Sequence, residues 1–175
     1  MKMRTLLTIA IALFSSSAAF SQTQYEVLVE RPNEKTYKGI ISNEVLLKDT
    51  TFKWYAQNLK GYTPNAAGLA AFKNNTDTTI QLITFMGTWC EDSHSIIPKF
   101  YSFLDATGFS KNRVTLIGVD RNKKTISHLA EALNVINVPT IIVMKNGKEL
   151  GRVVEYGKYG LFDKELGEII TAASK

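Results

Sequence analysis

The sequence predicts an α/β domain with a mixed central β-sheet flanked by helices and preceded by an N-terminal extension. Three observations predict it. Between residues 79 and 175, β-branched runs and amphipathic stretches follow one another as strand, helix, strand, helix, strand, strand, helix. The last two strands are joined by Asn146-Gly147, a dipeptide suited to the positive φ angles of a two-residue hairpin, so they pair antiparallel. A length of 175 residues with 45% apolar content is enough for one compact core.

The chain opens with Lys2 and Arg4, then the apolar run Leu6 to Phe14, then small residues through Ala19. That order is expected of a secretory signal peptide, with Ala19-Phe20-Ser21 as a small-x-small cleavage site. The apolar run is short for a membrane span and no cysteine stands at its end to accept a lipid. Residues 1–21 are therefore expected to be removed, with no stable membrane insertion afterwards and a periplasmic or secreted destination.

Residues 22–78 are expected to form an extension packed on the main domain, because they are rich in aromatic and aliphatic side chains but short for a core of their own. Tyr25 to Val29 alternates weakly and Tyr37 to Ile41 continues an extended region, with Arg31-Pro32-Asn33-Glu34 between them. Asp49 or Thr50 is placed to cap a helix carrying Phe52, Trp54, Tyr55 and Leu59, ended by Gly61 and Tyr62-Thr63-Pro64. Ala66 to Phe72 gives a second short helix.

Residues 79–175 form the expected core. Thr79 to Phe85 is a β-branched strand, and Ser93 to Leu104 a helix burying Ile96, Ile97, Phe100, Phe103 and Leu104, kinked by Pro98. Val114 to Val119 is the next strand, and Thr125 to Leu133 a helix with Ile126, Leu129 and Leu133 on one stripe. Ile141 to Met144 and Arg152 to Tyr156 flank the hairpin, and Phe162 to Ala172 closes the chain as a helix.

Composition excludes several functions. The formal charge of +5 includes Lys2 and Arg4; without residues 1–21 there remain 19 Lys and Arg against 16 Asp and Glu, a net charge of +3. The densest basic cluster, Arg121 with Lys123-Lys124, has no long continuation and no interleaved aromatics, so nucleic acid is not an expected partner. Cys90 is the single cysteine, which rules out an intramolecular disulfide, an all-cysteine metal site and a two-cysteine redox centre in one copy. Nothing in the spacing brings His128 to Cys90, Asp92 and His94, and neither a metal nor an organic cofactor is expected. No local Ser-His-Asp or Cys-His-Asp spacing marks a triad.

Cys90 falls where strand and turn give way to a helix, so backbone N–H groups and the positive helix end favour the thiolate that attacks disulfides. The other reading is an inert buried cysteine. Glu91 and Asp92 oppose the thiolate by like charge, while His94, four residues on and on roughly the same helix face, supports it when protonated. His94 as a plain exposed helix residue is the alternative.

Thr88-Trp89-Cys90-Glu91-Asp92-Ser93, Pro98 on the next helix, Val138-Pro139-Thr140 before a strand and Lys145-Asn146-Gly147 at the hairpin together resemble the thioredoxin-like family, in particular its secreted bacterial members. The resemblance covers residues 79–175. It implies a thioredoxin-like fold, a cis Pro139 facing the nucleophile, and a peptide-facing wall of Val138 and Pro139 opposite Cys90, with Trp89 either shielding the sulfur or packed beside the sheet. It also marks two departures. Family members with Cys-x-x-Cys carry the resolving cysteine where this chain has Ser93, which instead either donates to the thiolate or caps the helix. The buried carboxylate common in thioredoxin-like reductases, six residues before the nucleophile, is here Thr84, which cannot act as that base.

The implied function is monothiol thiol–disulfide exchange with a protein or low-molecular-weight thiol or disulfide as partner, more isomerase-like than reductase-like. Two other readings stand beside it: a non-catalytic peptide- or protein-binding module using the same cleft, and a Cys90-linked homodimer.

Overall fold

A computed structural model describes residues 24–31 and 34–173; the signal peptide expected at residues 1–21 lies outside them. Strands β1 (Tyr25–Arg31), β2 (Glu34–Ile41), β3 (Ile80–Met86), β4 (Val114–Gly118), β5 (Thr140–Lys145) and β6 (Lys148–Val154) form one sheet in the order β1-β2-β4-β3-β5-β6. Among the described residues only β3 and β4 pair in parallel, joined through a helix; all other neighbours are antiparallel, so the sheet is mixed as expected. The extension's first two strands are continuous with this sheet: β2 pairs with β4 from Gly39 opposite Gly118 to Ile41 opposite Leu116.

The helices are α1 (Asn43–Lys48), α2 (Trp54–Asn58), α3 (Ala66–Asn74), α4 (Glu91–Thr107), α5 (Leu129–Ala132) and α6 (Phe162–Ala173). On one face of the sheet, Ile80, Leu82, Met86, Leu116, Ile141 and Val143 pack with Ile97, Phe100 and Phe103 of α4 and Leu166 and Ile170 of α6. Phe52, Tyr55 and Phe72 from the extension join the same cluster. On the other face Phe85, Ile117, Val119 and Ile142 meet Ala130, Val135 and Val138. Helices α3 and α6 cross closely, because a Cβ on Gly167 would lie 2.6 Å from the Gly68 Cα.

Three expectations are corrected. The helix expected after Asp49 or Thr50 is present as the five-residue α2, but Lys53 and not Asp49 or Thr50 is its N-cap, and α1 precedes Asp49. Asp49 follows α1 and its carboxylate is spent on Lys35 Nζ, the Tyr37 hydroxyl, and the Thr51 N–H and hydroxyl, at 2.7–3.0 Å. The helix expected over Thr125 to Leu133 is broken into a 3-10 turn at Ile126–His128 and α5, because Ser127 and His128 take positive φ values of 58° and 55°. The last strand also runs earlier than expected, ending at Val154, which leaves Tyr156 beyond the sheet.

Candidate functional site

The C-terminal end of β3 delivers the chain through Gly87-Thr88-Trp89 to Cys90, the N-cap of α4, whose backbone is extended at φ −98° and ψ 123°. The loop is fixed by its own groups. The Cys90 N–H donates to the Gly87 carbonyl at 3.0 Å, and the Ser93 hydroxyl accepts from the Gly87 N–H at 3.1 Å. A Cβ on Gly87 would stand 2.7 Å from the Trp89 indole, so only glycine leaves room for the ring.

Cys90 is half-buried, and its thiol donates to the Val138 carbonyl at 3.2 Å. The Val138–Pro139 peptide is cis. The Pro139 carbonyl accepts from the Glu155 N–H at 2.7 Å, which ties this wall to the segment after β6. Cys90, Val138 and Pro139 are thus brought together.

The other expected site residues point elsewhere. Trp89 donates from Nε1 to the Val119 carbonyl at 3.0 Å, and the Arg121 guanidinium lies 5.4 Å from its ring centroid, so the indole is packed beside the sheet end. Ser93 is fully buried and its oxygen serves the Gly87 N–H. His94 donates from Nε2 to the Thr88 carbonyl at 2.8 Å, its Nδ1 lies 3.6 Å from Glu91, and its ring stacks on Trp54 of α2. Thr84 is fully buried between Leu116 and Ile141 in the sheet register, with no partner for its hydroxyl. Among the described residues no group of three or more His, Cys, Asp or Glu is placed to hold a metal; His128 faces Glu131 at 3.1 Å.

Four residues have roles at the site that are not evident in the sequence: Thr88, Tyr37, Trp54 and Tyr156. The Thr88 hydroxyl donates to the Lys35 carbonyl at 2.7 Å and accepts from the Tyr37 N–H at 3.1 Å, so strand β2 of the extension braces the cysteine loop. Tyr37 is in turn bonded to Asp49, and burial together with that carboxylate pushes its phenol up to about 12. Trp54 supports His94. Tyr156, 40% exposed, stands near Ser95 and Asp92 on the first turns of α4. Burial raises its phenol, and the neighbouring Asp92 and Cys90 add to the rise against the opposing Ser95 contact. Its place just past a strand end and beside the cis-proline wall is the one signal that could have marked it.

A single thiol on the first turn of a helix, faced by a cis-proline loop at the end of a mixed sheet, defines a class of thiol-bearing α/β domains. Comparison with known proteins agrees. The thioredoxin family model matches residues 68–164, more than half of the chain, and the chain belongs to that family. A thioredoxin of Echinococcus granulosus is 35% identical over 77 residues, covering 44% of this chain and 66% of that protein. A thioredoxin of Staphylococcus aureus is 31% identical over 87 residues, covering 50% of this chain and 79% of that protein. The solved structure of a Pseudomonas aeruginosa protein of unknown function overlays with a TM-score of 0.48 at 17% identity, covering 68% of this chain and 81% of that one.

Proposed function

We propose that this protein is a monothiol thiol–disulfide exchange module of the cell envelope, made with a signal peptide at residues 1–21, an extension at 22–78 and a thioredoxin-like core at 79–175. The observation that carries the reading is the half-buried Cys90 sulfur at the start of α4, 3.2 Å from the Val138 carbonyl of the cis-proline loop. The Cys90 thiolate attacks one sulfur of a partner disulfide; a new S–S bond forms to Cys90, the old one breaks, and the leaving thiolate takes up a proton. Val138 and Pro139 hold an extended partner against the sulfur. Trp89 and Ser93 keep the loop in shape.

Ser93 has no thiol with which to expel the partner, so a second thiol from the substrate or from a separate small molecule completes the cycle. When the substrate supplies it, the net reaction is isomerisation, with no gain or loss of electrons. The buried Thr84 hydroxyl offers no carboxylate to move a proton, which fits slow exchange better than efficient reduction.

Alkylation of the protein at neutral pH, with Cys90→Ser as blank and the denatured chain as the accessibility control, tests this reading. Faster modification of the folded than of the unfolded thiol supports it, because the fold then activates the sulfur. Slower modification, restored by denaturation, supports the second reading: a binding module that uses the Val138-Pro139 wall without turnover. That reading is favoured by one observation, the loss of both the second cysteine and the buried carboxylate at Ser93 and Thr84.

A further inference from the structure

A cavity of about 410 Å³ opens beside the cysteine end of α4 and shares only Tyr156 with the exchange site described so far. Its walls come from three places: the segment after α2, with Lys60 and Tyr62; helix α4, with Ile96 and Lys99; and the segment between β6 and α6, with Tyr156 and Leu161. Tyr156 connects it to the nucleophile, because it lines the cavity while its phenol feels Ser95, Asp92 and Cys90 at the start of α4.

The charges lining it have one sign left over. Asp163 is 2% exposed, and its carboxylate is taken up by the Tyr62 hydroxyl at 2.8 Å, the Asn65 N–H at 2.7 Å and the Lys164 N–H at 2.9 Å. Lys99 touches the Ser95 hydroxyl at 3.1 Å, and neither Lys99 nor Lys60 has a carboxylate partner among the described residues. Lys35, Lys38, Lys111 and Lys145, by contrast, are each held by an aspartate. The same cavity is lined by the apolar side chains of Ile96, Tyr62 and Leu161, the last still 45% exposed. A cavity lined by both apolar side chains and two lysines without a carboxylate partner among the described residues fits a peptide that carries an apolar side chain next to carboxylates.

We propose that this cavity is a subsite for an acidic segment of the protein disulfide that reacts at Cys90, so that the module selects acidic clients. The inference rests on the exchange reading. Lys60, Tyr62 and Asn65 precede the family match at residue 68, so this chain's extension supplies one of the two lysines and part of the wall. Exchange forms one S–S bond to Cys90 and releases one thiol, as above; the cavity holds the client while that occurs.

The test uses three peptides that differ only in flanking residues: a cysteine activated as its thiopyridyl disulfide, followed by Leu-Glu-Glu, Leu-Gln-Gln or Leu-Lys-Lys. Release of thiopyridone gives the rate with the unmodified protein, and calorimetric binding of the same peptides with a methylated cysteine to the Cys90→Ser variant gives the affinity without chemistry. The expected result is a preference for the Glu over the Gln peptide of about tenfold at low salt, lowered several-fold in Lys60→Gln/Lys99→Gln and reduced by added salt. Because the preference is a ratio within each variant, a general loss of folding or reactivity does not imitate its loss. An equal preference in the double variant, or none in the unmodified protein, overturns the proposal. So does self-association that the double variant abolishes, which assigns the cavity to a second copy. A lysine-dependent preference in binding with no thiopyridone release by any peptide supports the subsite and sinks the exchange reading instead.

Discussion

The imidazole of His94 lies flat on the indole of Trp54, with ring centroids 4.3 Å apart and planes 12° from parallel. One ring stands on the helix that begins at Cys90 and the other on a helix of the extension, so the contact fastens the extension to the cysteine end of the domain. It also fixes the imidazole: with Nε2 donating to the Thr88 carbonyl, His94 is held against the loop backbone.

Replacing Trp54 with alanine removes this platform. The half-buried indole is expected to contribute about 2 kcal/mol, less than a fully buried aromatic, and Trp54→Phe should recover most of it. Urea denaturation measures the loss. The ring protons of His94 provide a second readout by NMR: in Trp54→Ala they should move downfield as the ring-current shielding disappears, and in Trp54→Phe they should stay close to their original position. Unmoved His94 signals in the alanine variant would mean that the two rings are not stacked in solution.

Thr84 sits fully buried with an unpartnered hydroxyl, at the position where related reductases carry a carboxylate. Valine has nearly the same shape and no polar atom to desolvate. Thr84→Val is therefore expected to stabilise the fold by about 1 kcal/mol, read as a higher urea midpoint at unchanged slope. A destabilised variant would show that the hydroxyl has an acceptor in solution.

Ser93 stands one helical turn beyond Cys90, and a cysteine there lies within the Cα separation that a disulfide spans. Ser93→Cys should convert persistent mixed disulfides into an internal bond between Cys90 and the introduced thiol. Mass spectrometry after treatment with a small disulfide would then find the protein two hydrogens lighter and free of adduct. The substitution also weakens the acceptor that Ser93 offers the Gly87 N–H, at a cost of about 1 kcal/mol. An adduct that survives in the variant would show that the loop holds position 93 away from the sulfur.

The core elements were legible because each carries a long periodic signal. Ile80 to Met86 is β-branched and alternates, and α4 places Ile96, Ile97, Phe100, Phe103 and Leu104 at helical spacing. The cysteine was legible as the single one in the sequence at a strand-to-helix junction, and the Val138-Pro139 wall only through the resemblance to the thioredoxin-like family. The break at Ser127 and His128 was not, since Ile126, Leu129 and Leu133 keep helical spacing while the backbone between them turns left-handed. Helix α1 spans six residues, too few to show a period. The Thr88 contacts to Lys35 and Tyr37 cross 53 and 51 residues, and no local pattern records a hydrogen bond between a loop and a distant strand.

Asp49 is the group through which acid should loosen the extension. Its side chain is 6% exposed, and burial alone would raise its pKa. Lys35, the Thr51 N–H and hydroxyl, and the Tyr37 hydroxyl outweigh burial and hold the carboxyl below the usual aspartate range. A carboxylate depressed in the folded state contributes stability that is complete above its unfolded value, near pH 3.9, and is lost as pH falls through the folded value. The protein should therefore lose urea resistance progressively below about pH 4, part of it through Asp49. Asp49→Asn keeps the side-chain shape and one acceptor oxygen but gives up the charge facing Lys35, and should cost about 2 kcal/mol at pH 7. The difference between the two proteins should shrink as pH falls from 4 towards 2, because protonation removes from the unmodified protein what the variant already lacks. Since the Tyr37 backbone holds Thr88, loss of the Asp49 contacts should also speed amide exchange at Thr88 and Trp89 in the cysteine loop. A gap in stability that stays constant across the acid range would assign the cost to packing and remove Asp49 as the acid-sensitive link.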